Sequence, residues 1–293
     1  MARVFLTGAS GFLGRHLAPR LRASAHRVTS LQREPRGDRD TVHGDLAEPS
    51  SYASALAGTD VVAHLAAVTG EAPAAEYERV NVEGTRALLD AARRAGVSRF
   101  LFCSTIAVTF ADTRHYAYAE SKAIGEQLVQ GSGMRTTTIR PTIIGGPGSA
   151  VLSRLASLAT LPVIPLFGGG GTKVQPILVD DLADLVVDIV DADRFTGEIL
   201  EFGGRDVLLL RDVLDRLHRQ QRHTPSRFLP IPIGLLLPPL RLLEPLLGAA
   251  LPMTIGQLAT FRFDGVARPN PVWTARHDRL ASLDRVLDQT SRA

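Results

Sequence analysis

Arg3-Val4-Phe5-Leu6-Thr7-Gly8-Ala9-Ser10-Gly11-Phe12-Leu13-Gly14 reads as a short apolar strand, a glycine turn and the start of a helix that continues through His16, Leu17 and Leu21. The glycines fall three apart, and each has a task in such a turn. Gly8 lets the chain leave the strand sharply, Gly11 lets backbone approach a pyrophosphate, and Gly14 lets the helix pack closely on the strand. The free N–H groups of the new helix then face the phosphates, with the helix dipole behind them. An ordinary strand-to-helix turn is the plainer reading. The position directly after an apolar strand and before a helical pattern favours dinucleotide binding. Gly8, Ser10, Gly11, Phe12, Leu13 and Gly14 are therefore cofactor-binding candidates.

Working outward, residues 27–31 form a second strand that ends at Gln32 and Arg33. Dinucleotide folds often place an acid there for the ribose hydroxyls. Arg33 instead offers a guanidinium that pairs with a 2′-phosphate in bidentate fashion. Arg36 and Arg39 follow, so a solvated arginine loop is the alternative. Asp45 and Leu46 end another short strand, and a helix is expected over 50–57. Residues 60–67 are a continuous apolar run suited to a central parallel strand, with Leu65, Ala66 and Ala67 at its cofactor end. His64 within it reads as a packed histidine rather than a ligand. The next helix carries Tyr77, Val80, Val82, Leu88, Leu89 and Ala92, with Gly96 as its stop. Asn81 on that helix is either solvated or a buried hydrogen-bonding post.

Residues 99–103 are a strand ending in Ser104 and Thr105, 116–129 a helix, and 136–140 a strand ending at Pro141. Alternation of strands and helices from residue 4 to about 145 predicts an α/β fold, a doubly wound parallel sheet of Rossmann type. The chain then changes character. Residues 151–161 read as a helix, 174–179 as a strand and 210–217 as a helix. Asp180 and Asp181 open a further helix as first-turn acids rather than a catalytic pair. The tail over 276–287 reads as one amphipathic helix. The expected division is a dinucleotide-binding core over 1–145, with 174–200 returning to it. A smaller, mostly helical substrate-binding part spans 146–173 and 201–293.

Composition bounds the function. The 293 residues carry a formal net charge of +3 with the two signs mixed, and no basic block points to nucleic acid. Cys103 is the only cysteine, which leaves no disulfide framework and no thiolate metal site. The first strand follows Met1 at once, so a cytoplasmic protein without a secretory signal is expected. Residues 228–252 are strongly apolar but hold six prolines with Arg241 and Glu244. That argues against a spanning helix and for a lid over an apolar pocket, with membrane-surface contact as the minor alternative. A homodimer is compatible with this composition.

Tyr118 and Lys122 stand four apart, which puts them on one helix face. A free tyrosine titrates near pH ~10, and a neighbouring ammonium favours the phenolate. The pair can then give or take a proton at a carbonyl or alcohol oxygen, with Thr105 hydrogen-bonding the same oxygen. A solvated surface pair is the alternative. Lysine occurs only at Lys122 and Lys173 in a chain whose cations are otherwise Arg, which fits a site needing a compact ammonium.

The motifs in order resemble the extended short-chain dehydrogenase/reductase superfamily, in its NAD-dependent epimerase/dehydratase branch. They are Thr7 to Gly14, Gly44-Asp45-Leu46, His64-Leu65-Ala66-Ala67, Asn81-Val82-Glu83-Gly84-Thr85, Tyr118 to Lys122, Arg140-Pro141 and Val179-Asp180-Asp181-Leu182-Ala183. The resemblance covers roughly residues 1–205. It implies that Asp45 meets the adenine, that Thr105 stands where the catalytic Ser/Thr stands, and that Pro141, Ile143 and Ile144 lie near the nicotinamide. The candidate catalytic set is Thr105, Tyr118, Lys122 and Asn81. Three departures matter. Gln32-Arg33 replaces the acid of NAD-preferring members. Val108-Thr109-Phe110 replaces a common Val-Tyr-Gly. Leu251 to Thr254 and Gln257-Leu258 are similar to the branch containing the NADPH-binding accessory subunit of respiratory complex I.

The expected function is an NADP(H)-preferring oxidoreductase, with NAD(H) possible, that exchanges hydride with an apolar carbonyl or alcohol. The first alternative is a sugar-nucleotide epimerase or dehydratase with retained NAD. The second is a non-catalytic NADPH-binding sensor or assembly protein. No metal is expected.

Overall fold

Seven parallel strands form the main sheet of the computed structural model, which describes residues 1–34, 40–114, 116–236, 238, 240, 258 and 260–291. The first strand is β1 (Arg3–Thr7), whose last four residues are buried. Helix α1 (Phe12–Ala23) returns the chain to β2 (Arg27–Gln32), and β3 (Thr41–His43) follows. Next come β4 (Val61–His64), β5 (Arg99–Cys103) and β6 (Arg135–Pro141). Between β4 and β5 the chain is helical through α2 (Ala74–Tyr77), a π-helical stretch (Glu78–Glu83) and α3 (Gly84–Arg94). Helix α4 (Ala117–Gln130) joins β5 to β6.

Beyond β6 lie β7 (Ile144–Gly145), α5 (Ala150–Ala159), β8 (Ile164–Phe167), β9 (Lys173–Val174), β10 (Ile177–Leu178) and α6 (Val179–Asp191). The seventh strand of the main sheet, β11 (Ile199–Phe202), pairs with β6, so the sheet order is β11-β6-β5-β4-β1-β2-β3. The rest comprises β12 (Leu208–Leu209), α7 (Leu210–Arg222), β13 (Phe228–Ile231), α8 (Pro271–Arg276) and α9 (Leu283–Ser291).

The sheet is covered on both faces, as its run of buried apolar strands requires. On one face Val4, Leu6 and Val61 pack with Leu17 and Leu21 of α1 and Leu182, Val186 and Ile189 of α6. On the other, Phe5, Val62 and Phe100 pack with Leu88 and Ala92 of α3 and Val129 of α4. A separate core joins Leu152 and Leu155, Ile164, Val213 and Leu217, and Val286 and Leu287. It holds α5, β8, α7 and α9 together as a smaller, mostly helical part.

Several expected elements differ in extent. The helix expected over 50–57 is two short turns, Pro49–Ser51 and Ala53–Leu56. They break at Tyr52, whose fully buried ring packs on Phe5 and whose hydroxyl donates to the Leu46 carbonyl. The strand expected over 174–179 splits at Gln175-Pro176: proline has no N–H for a ladder, and the Gln175 amide is spent on Gly204 and Ala267. The tail expected as one helix is α8, a turn (His277–Arg279) and α9. The break is held where Ala281 N–H donates to Asp181 and Leu283 N–H to Asp206, both at 2.8 Å. Asp180 and Asp181 stand in the first turn of α6, which no side chain caps. Asp180 accepts from His16 at 2.7 Å and pairs with Arg20 at 2.8 Å, tying α6 to α1. Of the apolar stretch 228–252, Phe228–Ile231 is a strand paired with β8. Its part beyond residue 240, with Arg241, Glu244 and Leu251 to Thr254, lies outside the described residues, as do Gln257, Arg36 and Arg39. Among the described residues no helix is long and apolar enough to cross a membrane.

Candidate functional site

The glycine turn is built as its spacing implies. Gly8 has φ +73°, and a β-carbon there would meet Ala66 backbone at 2.6 Å; one at Gly14 would lie 2.1 Å from the Gly8 carbonyl oxygen. Gly11 is the N-cap of α1 in extended conformation, and no side chain caps the helix. Its first N–H groups are thus left for an anion. Ser10 and Gly11 are exposed, Phe12 is half-buried, and Leu13 and Gly14 are buried.

A relay of hydrogen bonds fixes the loop after β4, where Leu65, Ala66 and Ala67 lie half-buried. Ala66 N–H donates to Thr7 Oγ1 (3.2 Å), and Thr7 Oγ1 meets His64 Nδ1 (2.7 Å). His64 Nε2 meets Thr85 Oγ1 (2.9 Å), which donates to the Asn81 carbonyl (2.6 Å). Because Thr85 spends its proton on Asn81, the His64 Nε2–H must donate to Thr85, and Nδ1 accepts from Thr7. Burial, helped by the Lys122 charge, pushes His64 down to about 3, so the ring is neutral. This packed histidine is the role expected for it.

Asn81 is a buried post. Its Oδ1 accepts from Val68 N–H (2.7 Å), and its Nδ2 donates to the Val68 carbonyl (3.1 Å) and Ser121 Oγ (3.0 Å). Ser121 Oγ in turn donates to the Tyr118 carbonyl (2.8 Å). The amide thus ties the loop after β4 to α4. The π-helical stretch that contains it turns it inward, a feature without a sequence signal in its own span.

Thr105, Tyr118 and Lys122 come together at the carboxyl end of β5. Thr105 is half-buried and accepts from Ala107 N–H (3.3 Å), and it lies close enough to the Tyr118 hydroxyl to lower its pKa. Rings of Tyr77 and Tyr116 flank Tyr118, with centroids 6.3 and 6.0 Å away. Tyr77 arrives from α2, which packs against α4, whereas Tyr116 is the N-cap of α4 itself. Lys122 is 2% exposed. Its Nζ sits 4.1 Å from the centre of the Phe102 ring, and it interacts with Cys103 and Glu126.

The electrostatics correct one expectation. Burial raises the Tyr118 phenol well above its ordinary value, and neighbouring Cys103 and Tyr116 add to the shift. The Lys122 ammonium is pushed down to about 8 by burial. Burial dominates, and the Tyr118 phenol is neutral. Cys103 is free, and burial raises its thiol. Ser104 Oγ is buried with no partner among the described residues.

Toward the adenosine end, Arg33 is exposed at the end of β2. The buried Gln32 Oε1 has no partner among the described residues, an acceptor left for a donor such as a ribose hydroxyl. Asp45 lies two residues beyond β3, not within it, and accepts from Ala47 N–H (2.8 Å). Leu46 is buried against Gly84. Pro141 is buried at the end of β6, and Ile143 and Ile144 are half-buried just beyond it. A capless helix start, a glycine cradle and an orphaned acceptor at the second strand suit a dinucleotide. Among the described residues no cluster of His, Cys, Asp and Glu suits a metal.

A seven-stranded parallel sheet with this glycine turn and this Thr-Tyr-Lys set defines an extended short-chain dehydrogenase/reductase. The chain belongs to the NAD dependent epimerase/dehydratase family, which matches residues 4–203. It is 32% identical over 207 residues to a 2-alkyl-3-oxoalkanoate reductase of Stenotrophomonas maltophilia, covering 62% of this chain and 63% of that one. It is 34% identical over 185 residues to a 3-beta-hydroxysteroid dehydrogenase of Mycolicibacterium neoaurum, covering 53% and 50%. The complex I likeness is borne out by NADH dehydrogenase [ubiquinone] 1 alpha subcomplex subunit 9 of Dictyostelium discoideum, 26% identical over 230 residues, 74% of this chain and 63% of that one. The chain thus spans from half to under two thirds of the length of these relatives. Among solved structures, gox2253 superposes with a TM-score of 0.77 at 22% identity, covering 100% of this chain and 97% of that one. MoeE5, solved with UDP-glucuronic acid and NAD, gives 0.70 at 22%, covering 99% and 98%. At that identity the structures establish the fold.

Proposed function

We propose that this chain is an NADP(H)-preferring oxidoreductase that exchanges a hydride with a ketone or secondary alcohol on an apolar molecule. The observation that carries the reading is that Thr105, Tyr118 and Lys122 meet at the carboxyl end of β5, with Lys122 buried one helical turn from Tyr118. In reduction the Tyr118 hydroxyl donates its proton to the carbonyl oxygen and becomes a phenolate, and in oxidation the phenolate takes the alcohol proton. Thr105 Oγ1 hydrogen-bonds the same oxygen and stabilises charge as it develops there. Bound at this edge, the nicotinamide would supply or accept the hydride. Gly8 to Gly14, Asp45, Leu46, Leu65 to Ala67, Pro141, Ile143 and Ile144 are the residues that would hold the cofactor, with Tyr118 and Lys122 at the nicotinamide ribose.

Preference for the phosphorylated cofactor rests on Arg33, in place of an acid that would repel a 2′-phosphate. The apolar substrate is supported by the names of the 2-alkyl-3-oxoalkanoate reductase and the 3-beta-hydroxysteroid dehydrogenase. The Phe110–Phe263 pair sets an aromatic contact between the cofactor part and the smaller part, in keeping with an apolar substrate. We take the cofactor part as 1–145 with 174–200, extended by β11 through Phe202, and the remainder as the substrate part.

A thermal-shift and turnover screen with NADPH and NADH tests this, comparing long-chain 3-oxo acids and steroid ketones with UDP- and dTDP-sugars. Turnover of an apolar ketone with NADPH is expected. Stabilisation by a nucleotide sugar with no response to any ketone would promote an epimerase or dehydratase. Tight NADPH binding with no turnover across the panel would make the chain a sensor.

A further inference from the structure

Glu76 on α2 is gripped by Arg79, one turn onward. Arg79 Nε donates to Oε2 at 3.0 Å and Nη2 to Oε1 at 2.7 Å, so both carboxylate oxygens face one guanidinium. The same guanidinium has Nη1 4.0 Å from Asp45 Oδ1, on the loop after β3. Arg33, from the end of β2, acts on the Glu76 carboxylate as well. Arg79 thus holds both carboxylate oxygens directly beside the adenosine end of the site, with Arg33 a weaker, longer-range influence. The pair is open to solvent, with Arg79 46% and Glu76 36% exposed. Ion pairs so exposed add little to stability, and a structural brace does not explain the arrangement.

We propose that Arg79 is a second reader of the cofactor's 2′-phosphate, acting with Arg33, and that Glu76 is an internal anion that this phosphate displaces. The inference rests on the NADP(H) reading above. A phosphate monoester carries more charge than a carboxylate and three acceptor oxygens, so it competes for two guanidiniums where a carboxylate satisfies one. A 2′-hydroxyl cannot compete, and with NADH the Glu76–Arg79 pair stays closed. Glu76 therefore restrains NADPH affinity while Arg79 confers it.

The test is a fluorescence titration of NADPH and NADH on wild type, Arg79→Ala, Arg79→Lys and Glu76→Gln. Adenosine 2′,5′-bisphosphate serves as a fragment probe. Arg79→Ala is expected to weaken NADPH roughly tenfold and NADH less than about twofold, the size of a lost charge-assisted contact at an open site. Arg79→Lys should fall between, because a point charge keeps attraction but loses the fork. Glu76→Gln should tighten NADPH and the bisphosphate and leave NADH unchanged. Equal weakening of both cofactors by Arg79→Ala would place Arg79 on their shared part and overturn the assignment. Wild type that prefers NADPH, with a ratio unmoved by Arg79→Ala and Glu76→Gln, would overturn it while sparing the NADP(H) reading. Wild type that binds both cofactors equally would overturn that reading and this inference with it.

Discussion

Water gives up an ammonium reluctantly, yet Lys122 is 2% exposed. Its folded-state value of about 8 lies below the ordinary lysine value of 10.5. Between those two pH values the unfolded chain binds the extra proton, so stability should rise as pH climbs from about 8 toward about 10. Below pH 8 the whole penalty is present. Lys122→Met removes the charge at similar volume and should raise the melting temperature at pH 7 by roughly 3 °C or more. The gain should shrink as pH passes about 10. Calorimetry at pH 7 and 10 checks this, and a variant less stable than wild type at pH 7 would mean that the Phe102 and Glu126 interactions outweigh desolvation. The same variant should lose turnover. The Tyr118–Lys122 spacing was legible because a helix brings such residues onto one face. The sign of the Tyr118 shift was not, because spacing carries no information about burial.

At the scale of elements, the docking of α1 on β1 has the least room for change. A β-carbon at Gly14 would stand 2.1 Å from the Gly8 carbonyl oxygen and 2.7 Å from Ala9 Cα, backbone atoms that cannot swing aside. Gly14→Ala must push the helix start off the strand. It should lower the melting temperature by several degrees and weaken both NADPH and NADH about tenfold or more, unlike a change at Arg79. Calorimetry and cofactor titration read the two effects. The glycine turn, the strand β5 and the helix α4 were readable because strand, turn and capping rules act over a few residues. The π-helical stretch was not. Its cause is Asn81 reaching Val68, 13 residues back, and Ser121, 40 residues on. Likewise Tyr52 breaks the expected helix over 50–57 to reach a core that sequence neighbours do not reveal. The split tail depends on Asp181 and Asp206, contributed by other elements.

Across the whole molecule, a chain of charges joins the candidate site to the C-terminal part. Arg140 forks onto Glu126 of α4 at 2.8 and 2.6 Å and reaches Glu201 of β11 at 3.4 Å. Arg268 meets the same Glu201 oxygen, Oε1, at 2.6 Å. Burial pushes Glu201 up, but Arg268 and Arg140 overcome it and hold the carboxyl below its usual range. Arg140→Met should leave Glu126 and Glu201 buried without their shared cation, at a cost of about 3 kcal/mol or more. Thermal denaturation would show it. Adding Glu126→Leu should recover much of the loss, because Glu201 keeps Arg268 and no buried carboxylate is then left without a cation. The Arg140-Pro141 motif was visible in the sequence, but its partners 14 and 61 residues away were not.

The central claim is that Tyr118 transfers the proton that accompanies hydride transfer to an apolar ketone. The most direct measurement is NADPH consumption with such a ketone by wild type and by Tyr118→Phe, beside NADPH affinity for both. The substitution removes one hydroxyl and little packing. It should cut turnover at least about a hundredfold, the usual contribution of a positioned acid, and leave NADPH affinity within about twofold. Turnover by Tyr118→Phe at the wild-type rate, with NADPH bound equally well, would contradict the account.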